Sequence, residues 1–217
     1  MKKIRTKKQV KAIKINIKRR TVIVDDKLIF KNKIPLPSWI ELSIIDVCNR
    51  TCSFCPKSDP SIAPDTFQKM EKPIINKLCK DLKNMGFKGS VVLCGYGEPM
   101  LHKDVFNICD QISKVAFVEV VSNGDTLNPK SIKKLYLSNV NKLLISMYDG
   151  PEQRKKFSEM IKKAEVPKDF VILRDRWHDE SKDYGLKLTN RTGTINIGIQ
   201  EEVKINSQCF YPSYQML

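Results

Sequence analysis

The 217-residue chain is predicted to be an α/β protein with parallel strands. Three observations predict it. Short runs rich in Val, Ile and Leu alternate with stretches whose apolar residues recur at helical spacing. Proline, asparagine and glycine stand where helices start and stop. The polar clusters of reactive type follow the strand-like runs, at the ends where parallel α/β structures place their sites. Strands alternating with helices imply right-handed crossovers between parallel neighbours.

Each element has its own signal. Ile13, Ile15 and Ile17 alternate with Lys14, Asn16 and Lys18, which is strand periodicity with lysines outward. Short strands are expected around Val22–Val24 and Leu28–Phe30, so residues 1–36 read as a basic β-hairpin-like extension and linker. Lysines on an exposed edge also discourage pairing with other chains. Lys33–Trp39 reads as a linker, because two prolines break a ladder. Ile40–Asp46 is the first core strand. Pro73 opens a helix that Gly86 stops, with Ile74, Ile75, Leu78, Leu82 and Met85 as its apolar face. Ser90–Cys94 is the second strand. Asp104–Lys114 is a helix with Val105, Ile108, Cys109 and Ile112 inward. Ala116–Val121 is the third strand, and Asn128 with Pro129 starts the next helix. Lys142–Met147 is the fourth strand, Pro151–Ala164 a helix and Phe170–Leu173 the fifth strand. Thr194–Ile199 looks like a sixth. No amphipathic helix is legible between Asp175 and Asn190.

Composition narrows the function classes. No run of 18 apolar residues is present, so no membrane-spanning helix is expected. The N-terminus lacks the apolar segment of a secretory signal. Seven cysteines, three of them clustered, suit a reducing, cytoplasmic setting better than a disulfide framework. Cys79, Cys94 and Cys109 fall on apolar positions and read as small core residues. The net charge is +15, and residues 1–33 hold 13 Lys or Arg against two acids. A basic arm suits an acidic partner: nucleic acid (RNA among them), an acidic peptide or a membrane surface. A lysine-rich, solvated strand face explains it equally simply.

The strongest chemical signal is the run DVCNRTCSFCP. It holds Cys48, Cys52 and Cys55 at C-x3-C-x2-C spacing. Three thiolates can hold three irons of a [4Fe–4S] cube and leave the fourth open to a small molecule. The run is also half of a zinc site, but His102 and His178 do not stand at finger spacing from it. A thioredoxin-like C-x2-C pair would not need Cys48. The run alone leaves zinc and iron–sulfur open.

Three further stretches follow in order: LCGYGEPMLH (Leu93–His102), VVSNGDTL (Val120–Leu127) and LLISMYDG (Leu143–Gly150). With CNRTCSFC they resemble the motifs of the radical SAM (S-adenosylmethionine) enzymes, from about Pro37 to the C-terminus. The resemblance implies a partial (β/α)6 barrel, with residues 37–200 as its core. It implies a [4Fe–4S] cluster, SAM as cofactor, and a flavodoxin- or ferredoxin-like protein as reductant. It implies reductive cleavage of SAM to a 5′-deoxyadenosyl radical that abstracts hydrogen from a substrate, a peptide, protein or small metabolite.

The resemblance also distributes roles. Cys48, Cys52 and Cys55 are the expected cluster ligands. Phe54 packs over the cluster near the adenine, or merely anchors the loop. Gly95, Tyr96, Gly97, Glu98 and Pro99 meet the methionine end of SAM, with Glu98 accepting from its ammonium group. Tyr96 stands where many relatives carry glycine. Ser122 and Asn123 contact the carboxylate or ribose, although Asn-Gly is also a plain turn signal. Ser146 bonds the ribose hydroxyls, and Arg174 pairs with the carboxylate or sits in a charged surface turn. His102 and His178 are expected to be solvated or structural.

NRTG (Asn190–Gly193) followed by QCFYPSYQML (Gln208–Leu217) resembles the entry into a SPASM domain, which normally supplies cysteines for auxiliary clusters. Residues 201–217 then form an incomplete start of that extension, with Cys209 alone unable to hold a cluster. The rival reading from another class is a zinc-stabilised nucleic-acid-binding module that uses the basic arm.

Overall fold

The computed structural model describes residues 30–52 and 54–176, and a strand at 215–216. The expected strands before Phe30, the expected strand Thr194–Ile199, His178 and Cys209 lie outside the described residues.

The description begins with a small antiparallel hairpin, β1 (Phe30–Lys31) with β2 (Ile34–Pro35). Asn32 and Lys33 turn it with φ of 50° and 66°, the doubly left-handed backbone that matches strand twist in two-residue loops. The segment read as a linker is therefore partly strand. Pro35 is tolerated because it faces Phe30 one step beyond the pair that flanks the two-residue turn, a non-hydrogen-bonded position at which the partner strand asks for no N–H.

A six-stranded sheet follows, all parallel. Its order is β7 (Val171–Asp175), β6 (Lys142–Met147), β5 (Phe117–Ser122), β4 (Ser90–Leu93), β3 (Trp39–Leu42), β8 (Gln215–Met216). The partial (β/α) barrel is therefore present. Its described sixth strand, however, is β8 at the opposite edge, paired with the first core strand. β3 ends earlier than the sequence pattern suggests. Beyond Leu42 the chain leaves β4 and pairs with a returning loop, through an Ile45–Lys69 bridge and Asp46 N–H to the Gln68 carbonyl at 3.1 Å. An alternating apolar run cannot show which neighbour it will pair with.

Among the described residues four helices cover one face: α1 (Lys72–Met85), α2 (Val105–Ser113), α3 (Pro129–Leu137) and α4 (Gln153–Ala164). Gly86 closes α1 at φ 69°, a left-handed cap that costs glycine least. Asn128 accepts from the Ser131 amide, and Ser131 accepts from the Asn128 amide, so both ends of the box are filled. α4 starts two residues later than Pro151, because the Gln153 side chain turns back to Asp149.

The helix-side core joins Leu42, Val91, Leu93, Val118, Val120, Leu143 and Ile145 to Ile75, Leu82, Ile108, Ile112, Ile132 and Phe157. Each such side chain contributes about 1.5–3 kcal/mol on burial. Ile74 is an exception to the expected face, at 54% exposed. It lies about 100° round the helix from Ile75, beyond the stripe that meets the sheet. Of the three cysteines expected inside, only Cys109 is buried; Cys79 and Cys94 are half-buried. Alternation sends Glu119, Leu144, Ser146, Ile172 and Arg174 to the other, inner face of the sheet.

Candidate active site

The three thiols follow the end of β3. The Cys55 amide donates to the Cys52 carbonyl at 2.9 Å, and a short 3-10 turn (Pro56–Ser58) begins there. All three cysteines are half-buried. Burial is the main cause that raises the Cys48 thiol and pushes Cys52 up to about 11, and the thiols reinforce one another. Among the described residues no three His, Cys, Asp or Glu side chains converge as on a single metal ion. Three neighbouring thiols suit a cube, whose corner irons each take one thiolate. Binding would release their protons.

The loop after β4 lies against this run. A Cβ on Gly97 would meet the Ile45 carbonyl oxygen at 1.9 Å, and one on Gly95 would meet Ser43 at 2.7 Å. The glycines therefore permit a close approach to the segment that runs from the end of β3 to the thiols. Tyr96 is 50% exposed at the rim. Pro99 opens a 3-10 turn to Leu101.

Glu98 is 3% exposed. Its Oε1 accepts from the Met100 amide at 3.1 Å and its Oε2 from the Asn123 amide at 2.8 Å; the Ser122 hydroxyl also bonds it. Burial raises its pKa above the ordinary value, the hydrogen bonds acting against that. Glu98 thus joins the loop after β4 to the end of β5.

Asn123 is the link to the thiols. Its Nδ2 donates to Asn49 Oδ1 at 2.8 Å and lies 3.9 Å from Cys48 Sγ. Ser122 is 1% exposed and accepts from the Gly124 amide at 3.0 Å. It falls in the helix-side row with Val118 and Val120, so the structure does not bring it to the inner face. Ser146 and Arg174 are opposite each other on β6 and β7, on the inner face. The Ser146 hydroxyl bonds Tyr148, and Arg174 and Arg176 lie near the same phenol. Phe54 stacks on Tyr148 with centroids 5.5 Å apart.

His102 is buried and structural. Its Nε2 donates to the Met70 carbonyl at 3.2 Å and its Nδ1 accepts from the Asp104 amide at 3.1 Å. It pins the end of the Gly-Glu-Pro segment to the start of α1.

Sequence reasoning missed Arg50, Asp125, Tyr148 and Asp149. The Arg50 guanidinium, between Cys48 and Cys52, reaches Asp125 at 2.5 and 2.6 Å and Asp149 at 2.6 and 2.7 Å. A signal did exist. One arginine lies inside the thiol run, and one acid lies inside each of two strand-end motifs.

A three-thiol run at the strand ends of a partial barrel suits an enzyme that uses SAM at an iron–sulfur cluster. The chain belongs to the Radical SAM superfamily, whose family model matches residues 42–199. It is similar to the S-adenosyl-L-methionine-dependent 2-deoxy-scyllo-inosamine dehydrogenase of Niallia circulans, 29% identical over 180 residues, 81% of this chain and 67% of that protein. Its fold is similar to the crystal structure of BtrN in complex with AdoMet and 2-DOIA. The TM-score is 0.63 at 25% identity, covering 83% of this chain and 68% of that one. An open conformation of BtrN matches at TM-score 0.50 and 23% identity, over 67% and 58% of the two chains. The protein is a radical SAM enzyme. Its cofactors, a [4Fe–4S] cluster and SAM, supply one-electron cleavage of SAM to a 5′-deoxyadenosyl radical that takes a hydrogen atom from the substrate. A one-electron reductant is therefore required. Nothing supports the zinc-stabilised nucleic-acid module. Among the described residues no helix is long and apolar enough to cross a membrane.

Proposed function

We propose that this enzyme abstracts hydrogen from a C–H bond of a small, polar metabolite of the hydroxylated-ring class. The observation that carries the reading is the inner face beside the thiols, which Tyr148 and Arg176 keep polar beyond Ser146 and Arg174. Such a surface suits hydroxyl and amino groups better than apolar peptide side chains. Likeness to a dehydrogenase of a cyclic amino alcohol supports it. A peptide or protein substrate is the second reading, and RNA the weakest.

In this reading Cys48, Cys52 and Cys55 hold the cluster, and Phe54 with Tyr148 walls its inner side. The backbone of Gly95–Pro99 lies against the methionine end of SAM, with Tyr96 at the rim. Glu98 has both oxygens engaged by amides, so it orients this backbone and offers only a remaining lone pair to an ammonium group. Asn123 presents its amide between the thiols and SAM. Ser122 acts through Glu98. Ser146 faces the ribose and Arg174 a carboxylate. The reductant is a flavodoxin- or ferredoxin-like protein. Residues 1–36 are the basic extension, 37–200 the radical SAM core, and 201–217 the start of a SPASM-like extension. The cysteine usage favours the cytoplasm.

The test is anaerobic reconstitution, then EPR of the reduced protein with and without SAM, then 5′-deoxyadenosine release against a panel of cyclitols, amino sugars and peptides. A SAM-sensitive signal lost in Cys48→Ala, with turnover on ring alcohols, is expected. Turnover confined to peptides would overturn the substrate class. Colourless protein holding stoichiometric zinc would overturn the whole reading.

A further inference from the structure

The ion pair at Arg50 differs from the others. Lys77–Asp81 and Lys114–Asp110 are exposed single-contact pairs four residues apart, of the kind that water and salt screen. Arg50 instead makes four hydrogen bonds to two carboxylates on two other loops. Two-pronged carboxylate pairing of this kind adds geometric definition to charge.

Each carboxylate is itself held. Asp125 Oδ2 accepts from Asn49 Nδ2 at 3.1 Å, and the Asp125 amide donates to Asn123 Oδ1 at 3.0 Å. Asp149 Oδ2 accepts from Gln153 Nε2 at 2.7 Å, and the Asp149 amide donates to Gln153 Oε1 at 3.0 Å. The guanidinium carbon also lies 5.3 Å from the centroid of the Tyr148 ring, within cation–π range. The loop after β3 is thereby fastened to the loops after β5 and β6 at one point, between two of the three thiols.

We propose that Arg50 is a positioning residue: its double fork to Asp125 and Asp149 holds the three-thiol loop in cluster-binding shape before any iron arrives. The inference rests on the reading that this loop carries the cube. Lysine cannot substitute, because an ammonium group is a point charge without the planar fork. A loop held in advance loses less conformational entropy when the cluster binds.

The test uses the full chain in two states. In the apoprotein, hydrogen exchange is followed by mass spectrometry for peptides covering 47–58 and 72–85. Asp125→Asn with Asp149→Asn should speed exchange in the first peptide by roughly tenfold and leave the second unchanged. Arg50→Lys should behave like this double variant, and Asp149→Asn alone should fall between it and wild type. After anaerobic reconstitution, the double variant and Arg50→Lys should hold less iron and sulfide per chain. The EPR line of their residual cluster should respond differently to SAM. Wild-type exchange and loading in the double variant, or full rescue by Arg50→Lys, would overturn the proposal. If the double variant does not fold, Asp149→Asn decides alone, and unchanged exchange and EPR there would overturn it. Wild-type protein that takes up no cube is a separate failure, of the functional reading, and the apoprotein exchange still reads the clamp.

Discussion

Glu98 shows how one side chain sets the geometry of several others. Its two oxygens terminate two backbone amides from different loops. Glutamine keeps the shape but presents an NH2 group to one of those amides. Leaving a buried donor unpaired costs about 1–3 kcal/mol, so Glu98→Gln should destabilise the protein by that amount in denaturant unfolding. The pH dependence follows from the raised pKa, whose main cause is burial. The folded chain keeps the Glu98 proton to higher pH than the unfolded chain. Between the ordinary value of 4.5 and the raised one, the folded state binds more protons. Its contribution to stability therefore falls as pH rises through that window and levels off above it. Glu98→Gln should remove this fall. A variant curve parallel to wild type would show that Glu98 is not the group responsible. The acid of the Gly-Glu-Pro segment was legible in the sequence, but its distant partner was not. The Met100 amide is a local cap of the turn that Pro99 opens, but the Asn123 amide, 25 residues away, leaves no local pattern.

Among elements, the loop between β4 and α2 is closely constrained by the segment before the thiols. Gly97 has the Ile45 carbonyl oxygen where a Cβ would stand. The Glu98 amide donates to the Val47 carbonyl at 2.9 Å beside it. Gly97→Ala must push this loop off the thiol run. It should cost about 1–3 kcal/mol, seen as a lower melting temperature, and should also disturb cluster loading. Asn128→Ala provides the contrast. It removes the cap of α3 for about 1 kcal/mol, and the cluster spectra should stay as in wild type. Disturbed spectra there would mean that α3 and the site are coupled. The two elements also differ in legibility. Asn128 and Pro129 spell a helix start within two residues, and Lys142–Met147 is the observed strand residue for residue. Ile45 leaving its neighbour depends on the segment at Lys69 that arrives from elsewhere, on which local patterning is silent, whereas Pro35 pairs with Phe30 only because Asn32 and Lys33 take left-handed backbone, which their residue types do not announce.

For the whole molecule, the core strands are neighbours in the order of the sequence, β3 through β7, with helices between them. The thiol run and its supporting loops come from four separate strand ends, so cluster binding and global stability are linked. Reconstituted protein should melt higher than the apoprotein, because whatever binds only the folded state stabilises it. Removing iron with a chelator should abolish the difference. Equal melting temperatures would mean that the loop opens without cost to the rest of the fold.

Synthesis adds a time axis to the Arg50 clamp. The ribosome delivers Arg50 first, Asp125 75 residues later and Asp149 99 residues later. At about 5–20 residues per second, the thiols wait roughly 5–20 s for the second carboxylate. During that interval the newborn chain's most oxidisable side chains have neither cluster nor clamp. Their exposure to oxygen is then governed by the pace of translation rather than by the stability of the finished fold.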